Sequence, residues 1–397
     1  MSFWQCSNSY SNALLMLAIF GFADSAFAAP IGEAELITAA LKMPVILAAE
    51  AEVDEVRAAG IKDGLLANPQ LAFHQESASQ GMVNNWSLAM PIDLAGRGAT
   101  HRYLSASLRA RAQASSEQLR SAQVVSVLQQ FYRLAALRAE YDLLDQAQAD
   151  FAEAARVIRR RVQAGTLPEV AAVRLDLEAE LLLSEALQSR SKAQRLSDEL
   201  AMRLGLDPQK TSFSPRLDTP YTPSNKGDQR PSERNLRLAE KQAQKAMGSQ
   251  WRSWVPQLVI GAEANEQQGG QANLSLGFEL PFFDRGQAQR AESEARAEHA
   301  RREAEAHERR GAIVLARSLA ALEAAQKERR RFENSSKKPL QTLMAAARSG
   351  NREGLLSPLE VLDAQRQQIT IKKHNLALVL RVKMVALDLR AARGEFE

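Results

Sequence analysis

The chain has 397 residues, of which 45% are hydrophobic, 25% charged and 6% aromatic, and its formal net charge is +4. This composition excludes a disordered tail protein, a collagen and a polytopic helical membrane protein. The 20 glycines and 14 prolines are unevenly spread. Segments 99–164, 169–204, 287–338 and 359–393 hold a single one of them, Gly311, so nearly half the chain is free of helix breakers.

In chain order, residues 1–29 come first and differ from the rest. An apolar core from Ala13 to Phe22 precedes the small-x-small site Ala26–Phe27–Ala28. That pattern predicts a secretory signal cleaved near Ala28/Ala29, too short to span a bilayer. No Lys or Arg precedes the core, which leaves a buried N-terminal helix as the competing reading. The single cysteine, Cys6, lies in this stretch. The mature chain is therefore expected to have no disulfide, no thiolate metal ligand and no N-terminal cysteine for lipid attachment. Elsewhere no segment reaches the ~18 apolar residues of a membrane helix.

The next element is a helix over 34–61, interrupted or kinked at Pro44. Then one pattern occurs twice. Asn68–Pro69–Gln70–Leu71 opens an extended stretch to about Ser79, and a turn near Gly81 leads into Trp86–Ser87–Leu88–Ala89–Met90–Pro91. A helix follows from Gly98 to Ala164, a break at Gly165–Thr166–Leu167–Pro168, and a helix from Glu169 to Leu204. In the second copy Pro256–Gln257–Leu258–Val259–Ile260 opens the strand and Gly269–Gly270 makes the turn. Leu274 to Pro281 is the second strand. A helix follows from Arg285 to about Ser349, a break over 350–357, and a helix from Pro358 to Arg393. Corresponding landmarks (Pro69 and Pro256, Pro91 and Pro281, Gly165 and Gly354) keep a nearly constant separation, the signature of an internal duplication. The expected organisation is a signal peptide over 1–29, an N-terminal helix over 30–67 and a first repeat over 68–204. A Pro-rich linker over 205–232, a second repeat over 233–393 and a tail over 394–397 complete it.

Periodicity gives each element its surroundings. Val124, Val127, Phe131, Leu134 and Tyr141 advance in steps of three and four with one slot missed, and Leu362, Ile369 and Leu376 recur at sevens. The two longest helices would each extend ~90–100 Å, which requires a coiled-coil bundle or a barrel of helices. In the strands, Leu274, Leu276, Phe278 and Leu280 alternate with polar or small residues, as do Trp86, Leu88 and Met90. A transmembrane β-strand and a half-buried soluble strand both give this alternation. Two strands per copy leave open edges that must be paired, and in a membrane that closure demands several chains.

No HExxH, Walker loop or nucleophile elbow is present, so no catalysis and no cofactor are expected. His299, Glu303 and His307 stand at i, i+4 and i+8, where adjacent pairs have chelating spacing. In a helix this rich in Glu and Arg they read as solvated surface, and no metal site is assigned. His74 and His101 are isolated. The Arg runs at 159–161, 301–302, 309–310 and 329–331 are interleaved with Glu, which argues against nucleic acid.

At this point the chain resembles the outer-membrane efflux protein (TolC-like) family, and more narrowly its CzcC-type heavy-metal efflux branch. The resemblance spans about residues 31–393. It rests on Leu66–Ala67–Asn68–Pro69–Gln70–Leu71, on Met90–Pro91–Ile92–Asp93–Leu94–Ala95–Gly96–Arg97, on Leu280–Pro281–Phe282–Phe283–Asp284–Arg285–Gly286, on Pro339, and on Leu359–Glu360–Val361–Leu362–Asp363–Ala364–Gln365. Ala347 departs from it, standing where an aromatic is frequent, and the second break is longer than the first.

The resemblance implies a mainly α fold with a small β part. Long antiparallel helical hairpins would form a periplasmic α-barrel, and four strands per chain would contribute to a trimeric 12-stranded outer-membrane β-barrel. It implies a homotrimer in the outer membrane of a Gram-negative bacterium, in contact with its lipid and extending into the periplasm. The implied partners are a periplasmic adaptor (membrane fusion) protein and an inner-membrane RND-type pump that supplies the energy. The duct would carry heavy-metal cations. The alternatives are the outer component of a drug-efflux or type I secretion system and, from a different class, a periplasmic coiled-coil scaffold without a pore. Gly165, Gly350 and Gly354 are the candidate tip turns, where an adaptor would dock, since a tight turn between antiparallel helices needs positive φ. Glu169, Glu353, Glu360 and Asp363 are the candidate pore carboxylates, repeated threefold in a narrow neck. For Glu360 and Asp363 a cap or interhelix ion pair is the competing role. Trp86 and Phe278 are candidates for the aromatic girdle, and so are Trp251 and Trp254, which alternatively pack under the barrel.

Overall fold

The computed structural model describes residues 30–65, 67–78, 81–217, 230–265, 272–279, 283, 285–353 and 357–397. The expected signal segment, Gly354 and residues 218–229 of the Pro-rich linker lie outside them. The helices are α1 (Glu33–Ala40), α2 (Pro44–Ala59), α3 (Arg97–Gln163), α4 (Glu169–Arg203), α5 (Pro231–Gly248), α6 (Gln287–Glu353) and α7 (Pro358–Ala392). The strands are β1 (Gln70–Ala78), β2 (Gly81–Ile92), β3 (Gln257–Asn265) and β4 (Ala272–Glu279). They form one antiparallel sheet in the order β1-β2-β3-β4.

The repeat is more complete than the sequence pattern indicated. α3 and α6 both have 67 residues, and α4 and α7 both have 35. Each β-hairpin is preceded by a helix with Pro at its first position, α2 or α5, and by a short 3-10 turn, Ile61–Gly64 or Gln250–Trp254. The expected linker therefore ends earlier than residue 232, because Pro231 already begins α5. Helix α5 was not foreseen, although its buried stripe of Ser232, Leu236, Ala239, Ala243 and Ala246 recurs at 3–4 spacing against a polar opposite side.

The chain stops and starts its helices with local devices. Gly96, at φ +67, and Gly286, at φ +75, precede the two long helices. Asp93 Oδ2 accepts the Gly98 N–H at 3.1 Å, satisfying an orphan donor of the first turn of α3. α4 and α7 end alike: Gly205 and Gly394 stand at φ +71 and +72, and the next N–H reaches back to Ala201 O and Arg390 O. This is the left-handed glycine stop that non-Gly residues resist.

Packing turns these rods into a wall. α3 lies against α2, α4, α5 and α7, and α6 lies against α5 and α7. Beside the sheet the order across the wall is α2-α3-α5-α6, and farther from it α4-α3-α7-α6. Both levels are four helices wide. The two long helices, ~100 Å each at 1.5 Å per residue, run through both levels, while α2 and α5 stand above the ends of α4 and α7. The main core sits where α2 meets α4, with Leu36, Met43, Ile46, Val124, Leu128, Phe131, Leu200, Phe213 and Leu387 buried together. A second cluster joins α3, α4 and α7 toward the far end, through Leu144, Phe151, Ile158, Leu175, Leu182, Leu362 and Ile369.

Gly311 finds its reason at the other junction, where α5 meets α7. A Cβ at Gly311 would lie 1.6 Å from an Arg230 guanidinium nitrogen and 2.6 Å from Glu233 Oε1. The Arg230–Glu233 ion pair therefore rests directly on the α6 backbone.

Candidate functional site

The sheet separates two kinds of surface. Directly opposed pairs share a face: Leu71 with Leu88, Phe73 with Trp86, Met90 with Ile260, Ile92 with Leu258, Leu274 with Ala262, and Phe278 with Leu258. One face is thus apolar across all four strands. It is also open, with Leu274 75% exposed, Phe278 60% and Trp86 50%. Phe73 and Trp86 stack with ring centroids 4.7 Å apart. The opposite face carries Gln70, Ala72, His74, Asn85, Ser87, Ala89, Glu263, Asn273, Ser275 and Gly277. It is polar and small, and Gly261 lies where a Cβ would stand 2.4 Å from Ser275 Oγ. A sheet of this kind in water would leave many side chains unburied, each worth about 1.5–3 kcal/mol on transfer out of water. Its outer strands β1 and β4 each pair on one side only. Both features fit a sector of a closed barrel with lipid outside and water inside. Among the described residues no helix is long and apolar enough to cross a membrane.

The helical wall has unlike edges. The α4 edge exposes Val170, Val173, Leu177 and Leu181 at 3–4 spacing. The α6 edge exposes Ile313 and Leu319 and is rich in Arg. Its outward charges are partly tied within the helix. Glu298 accepts hydrogen bonds from Arg301 and Arg302, which hold its pKa down at about 2. Of the three residues at chelating spacing, His299 Nδ1 lies 3.8 Å from Glu303 Oε2, which also pairs with Arg111 at 3.0 Å, while His307 Nε2 lies 3.0 Å from Gln118 Nε2.

At the far end, Gly165 stands at φ +73, and the Thr166 N–H donates to Arg161 O at 3.0 Å, closing the turn between α3 and α4. Glu169, the first residue of α4, is exposed. Gly350 is a correction: it is not a turn residue, because α6 continues through it to Glu353. A helical glycine costs only about 1 kcal/mol relative to Ala. The helix has ended by Ser357, an extended residue (φ −68, ψ 151) held out of the helical region by Pro358. Glu360 serves as a cap: its Oε2 accepts the Ser357 N–H at 2.7 Å, and its own N–H donates to Ser357 Oγ at 3.3 Å. Asp363 is exposed and its charge acts on Arg366. Cross-links tie α7 to its neighbours here. Arg366 Nε donates to Glu178 at 2.8 Å, and Lys373 Nζ bridges Glu140 at 3.2 Å and Glu185 at 3.0 Å. Sequence reasoning missed these pairs, since nothing in local pattern marks which charges face each other.

The fold sets an open apolar sheet at one end of a long helical wall. The family model described as outer membrane efflux protein matches residues 223–395, the second repeat. Among solved structures, the outer membrane protein VceC of Vibrio cholerae aligns with TM-score 0.75 and 17% identity, covering 91% of this chain and 96% of that one. CusC, described in terms of transmembrane channel formation, aligns with TM-score 0.74 and 18% identity over 94% and 96% of the two chains. The MtrE outer membrane channel of Neisseria gonorrhoeae, in its open state, gives TM-score 0.73 and 17% identity over 91% and 88%. At such identities the likeness is one of fold. Comparison with curated protein sequences gives no match.

Proposed function

We propose that this protein is the outer-membrane exit duct of a tripartite efflux system, a passive channel driven by an inner-membrane pump. The observation that carries the reading is the four-stranded sheet with an exposed apolar face, a polar opposite face and two unpaired edges. Joined head to tail, β4 of one copy meets β1 of the next while α6 meets α2 and α4. Unlike edges of this sort generate rings. Three copies, the number the family resemblance implies, give twelve strands and a wall twelve helices around. Glu52, Asp54 and Glu55 are exposed on α2, the helix that an arginine-rich α6 would approach in this ring, and the opposite charges favour the arrangement.

The tip formed by the α3–α4 turn and the residues before α7 is the adaptor-docking end in this reading. Glu169 and Asp363, repeated by each copy, are the carboxylates that would attract cations to its mouth. Glu360 is engaged as a helix cap and contributes less. Heavy-metal cations are the cargo we infer, on the resemblance carried by Met90–Arg97 and Leu280–Gly286. A periplasmic scaffold without a pore is disfavoured, because it gives the apolar sheet face nothing to contact.

The decisive experiment is fractionation followed by planar-bilayer recording. The duct predicts a detergent-requiring outer-membrane trimer with ion conductance. A soluble periplasmic monomer without conductance would sink it. Cargo is tested separately, by growth of a deletion strain on Co, Zn, Cd, Cu, Ag and dyes. Sensitivity to dyes alone would overturn the metal assignment.

A further inference from the structure

Helix α5 begins without a cap of its own. Arg230, the residue before it, makes no side-chain capping bond, and Pro231 at its first position has no N–H to satisfy. Ser232 therefore carries the first orphan donor of the helix, and it is fully buried. Its partner comes from 165 positions away: the Ser232 N–H donates to Glu397 Oε2 at 3.0 Å, and Ser232 Oγ donates to the same oxygen at 2.7 Å. A carboxylate in this place also meets the positive end of the helix dipole.

Residues 394–397 bring that carboxylate in along a defined path. Gly394, at φ +72, turns the chain off the end of α7. A Cβ on it would stand 2.9 Å from Arg230 Cγ, so the segment passes directly over the residue before α5. The Glu395 N–H reaches back to Arg390 O at 3.1 Å, and Glu395 Oε2 accepts from Arg390 Nε at 2.9 Å. Phe396 is only 6% exposed and belongs to the main core, with Met43, Ile46, Phe131 and Leu200. The Arg390 guanidinium covers its ring at 4.8 Å and also donates to Glu33 of α1 at 2.5 Å. The core that takes Phe396 holds no α5 residue among those described. Two consecutive side chains thus grip opposite sides of the junction, Phe396 the first repeat and Glu397 the second.

We propose that residues 394–397 are a strap that seats the second β-hairpin against the first repeat. Phe396 anchors the strap, and Glu397 holds the start of α5. That helix leads through the 3-10 turn Gln250–Trp254 into β3, which pairs with β2. Packing of α7 and placement of β3 are coupled in this way through four residues. The first repeat needs no strap, because Met43 and Ile46 bury the start of α2 in the core directly. The strap goes beyond the channel reading and does not depend on it.

The test is hydrogen exchange, read peptide by peptide on the full chain in detergent solution. Protection at the start of α5 should fall about fivefold in Glu397→Ala. It should fall less in Glu397→Gln, which keeps an acceptor oxygen. Phe396→Ala should loosen the start of α5 more than it loosens α4, although Phe396 lies in a core without α5. The double variant should lose little more there than Glu397→Ala alone, since both changes open one strap. Peptides around Phe151 and Leu175 stay protected in each case and show that the wall has folded. Unchanged exchange at α5 in Glu397→Ala overturns the strap. So does an effect of Glu397→Ala that Phe396→Ala fails to reproduce, which would leave Glu397 a local cap. Additive losses in the double variant, or a Phe396→Ala effect no larger at α5 than at α4, overturn it as well. The channel reading stands or falls separately, on conductance.

Discussion

The two repeats solve the same problem with opposite chemistry. Each must join a short upper helix to the end of a lower one against a long helix that runs past both. In the first, Met43, the residue before α2, and Ile46 of α2 insert beside Val124, Leu128 and Phe131 of α3, and all five are buried in one apolar core. In the second, the matching positions are Arg230, the residue before α5, Glu233 of α5, and Val314, Ser318 and Ala321 of α6. There an ion pair sits on Gly311, and a polar crevice of ≈ 640 Å³ stays open between Arg230, His307, Ser318, Asp388 and Glu397. The same backbone plan therefore tolerates either a dry joint or a wet one.

The largest predicted effect breaks the dry joint. Phe131→Ala removes a side chain only 1% exposed and should cost about 3–5 kcal/mol; Ala321→Gly at the matching site of α6 should cost about 1 kcal/mol. Chemical denaturation of both variants checks the contrast, and equal losses would refute it. Next comes Gly311→Val, which must expel the Arg230 guanidinium and should destabilise by about 1–3 kcal/mol. Arg230→Ala removes the obstacle, so the double variant should fall short of the sum of its parts. Strict additivity would show that Arg230 does not rest on Gly311.

Acid distinguishes the joints more gently. Burial and the Arg230 charge hold the His307 pKa below its usual value. The unfolded chain then takes up a proton first, and the wet joint loses stability as pH falls through about 6.5. Burial pushes the Glu33 carboxyl upward, but hydrogen bonds from Tyr132 and Arg390 outweigh it and leave its pKa depressed. Its contribution is present above the ordinary carboxylate range and is lost only as pH falls below it. Melting temperature against pH for His307→Gln and Glu33→Gln should therefore flatten in two separate windows, the histidine one at higher pH. The smallest effect belongs to Glu117, whose pKa burial raises despite its bonds from Asn235. The folded state binds its proton more tightly, so the penalty present at neutral pH eases on acidification. Glu117→Gln should raise the melting temperature slightly at pH 7 and not at pH 4.

Much of this architecture was legible in the chain. Gly165, Pro168 and Pro358 mark helix ends because positive φ and a missing N–H act locally. The alternation of Leu274, Leu276 and Phe278 fixed one apolar face, because a strand turns its side chains every second residue. The Glu360 capping box also follows from spacing alone. Helix α5 went unassigned although its stripe of small and apolar residues recurs at 3–4 spacing, and Gly350 misled because glycine is tolerated where packing continues the helix.

What remained for the tertiary structure depends on which surfaces meet. Sequence by itself determined four long helices, two hairpins and their duplication, all set by interactions between residues a few positions apart. Only the folded chain decided that the hairpins join into one sheet with an open apolar face, that the wall is four helices wide at both levels, and that Gly311 makes room for Arg230. Those outcomes rest on contacts between residues far apart in the chain, such as Trp86 with Ala264, Lys373 with Glu140, and Arg230 with Gly311. Local periodicity states that a face must be covered, and packing alone selects what covers it.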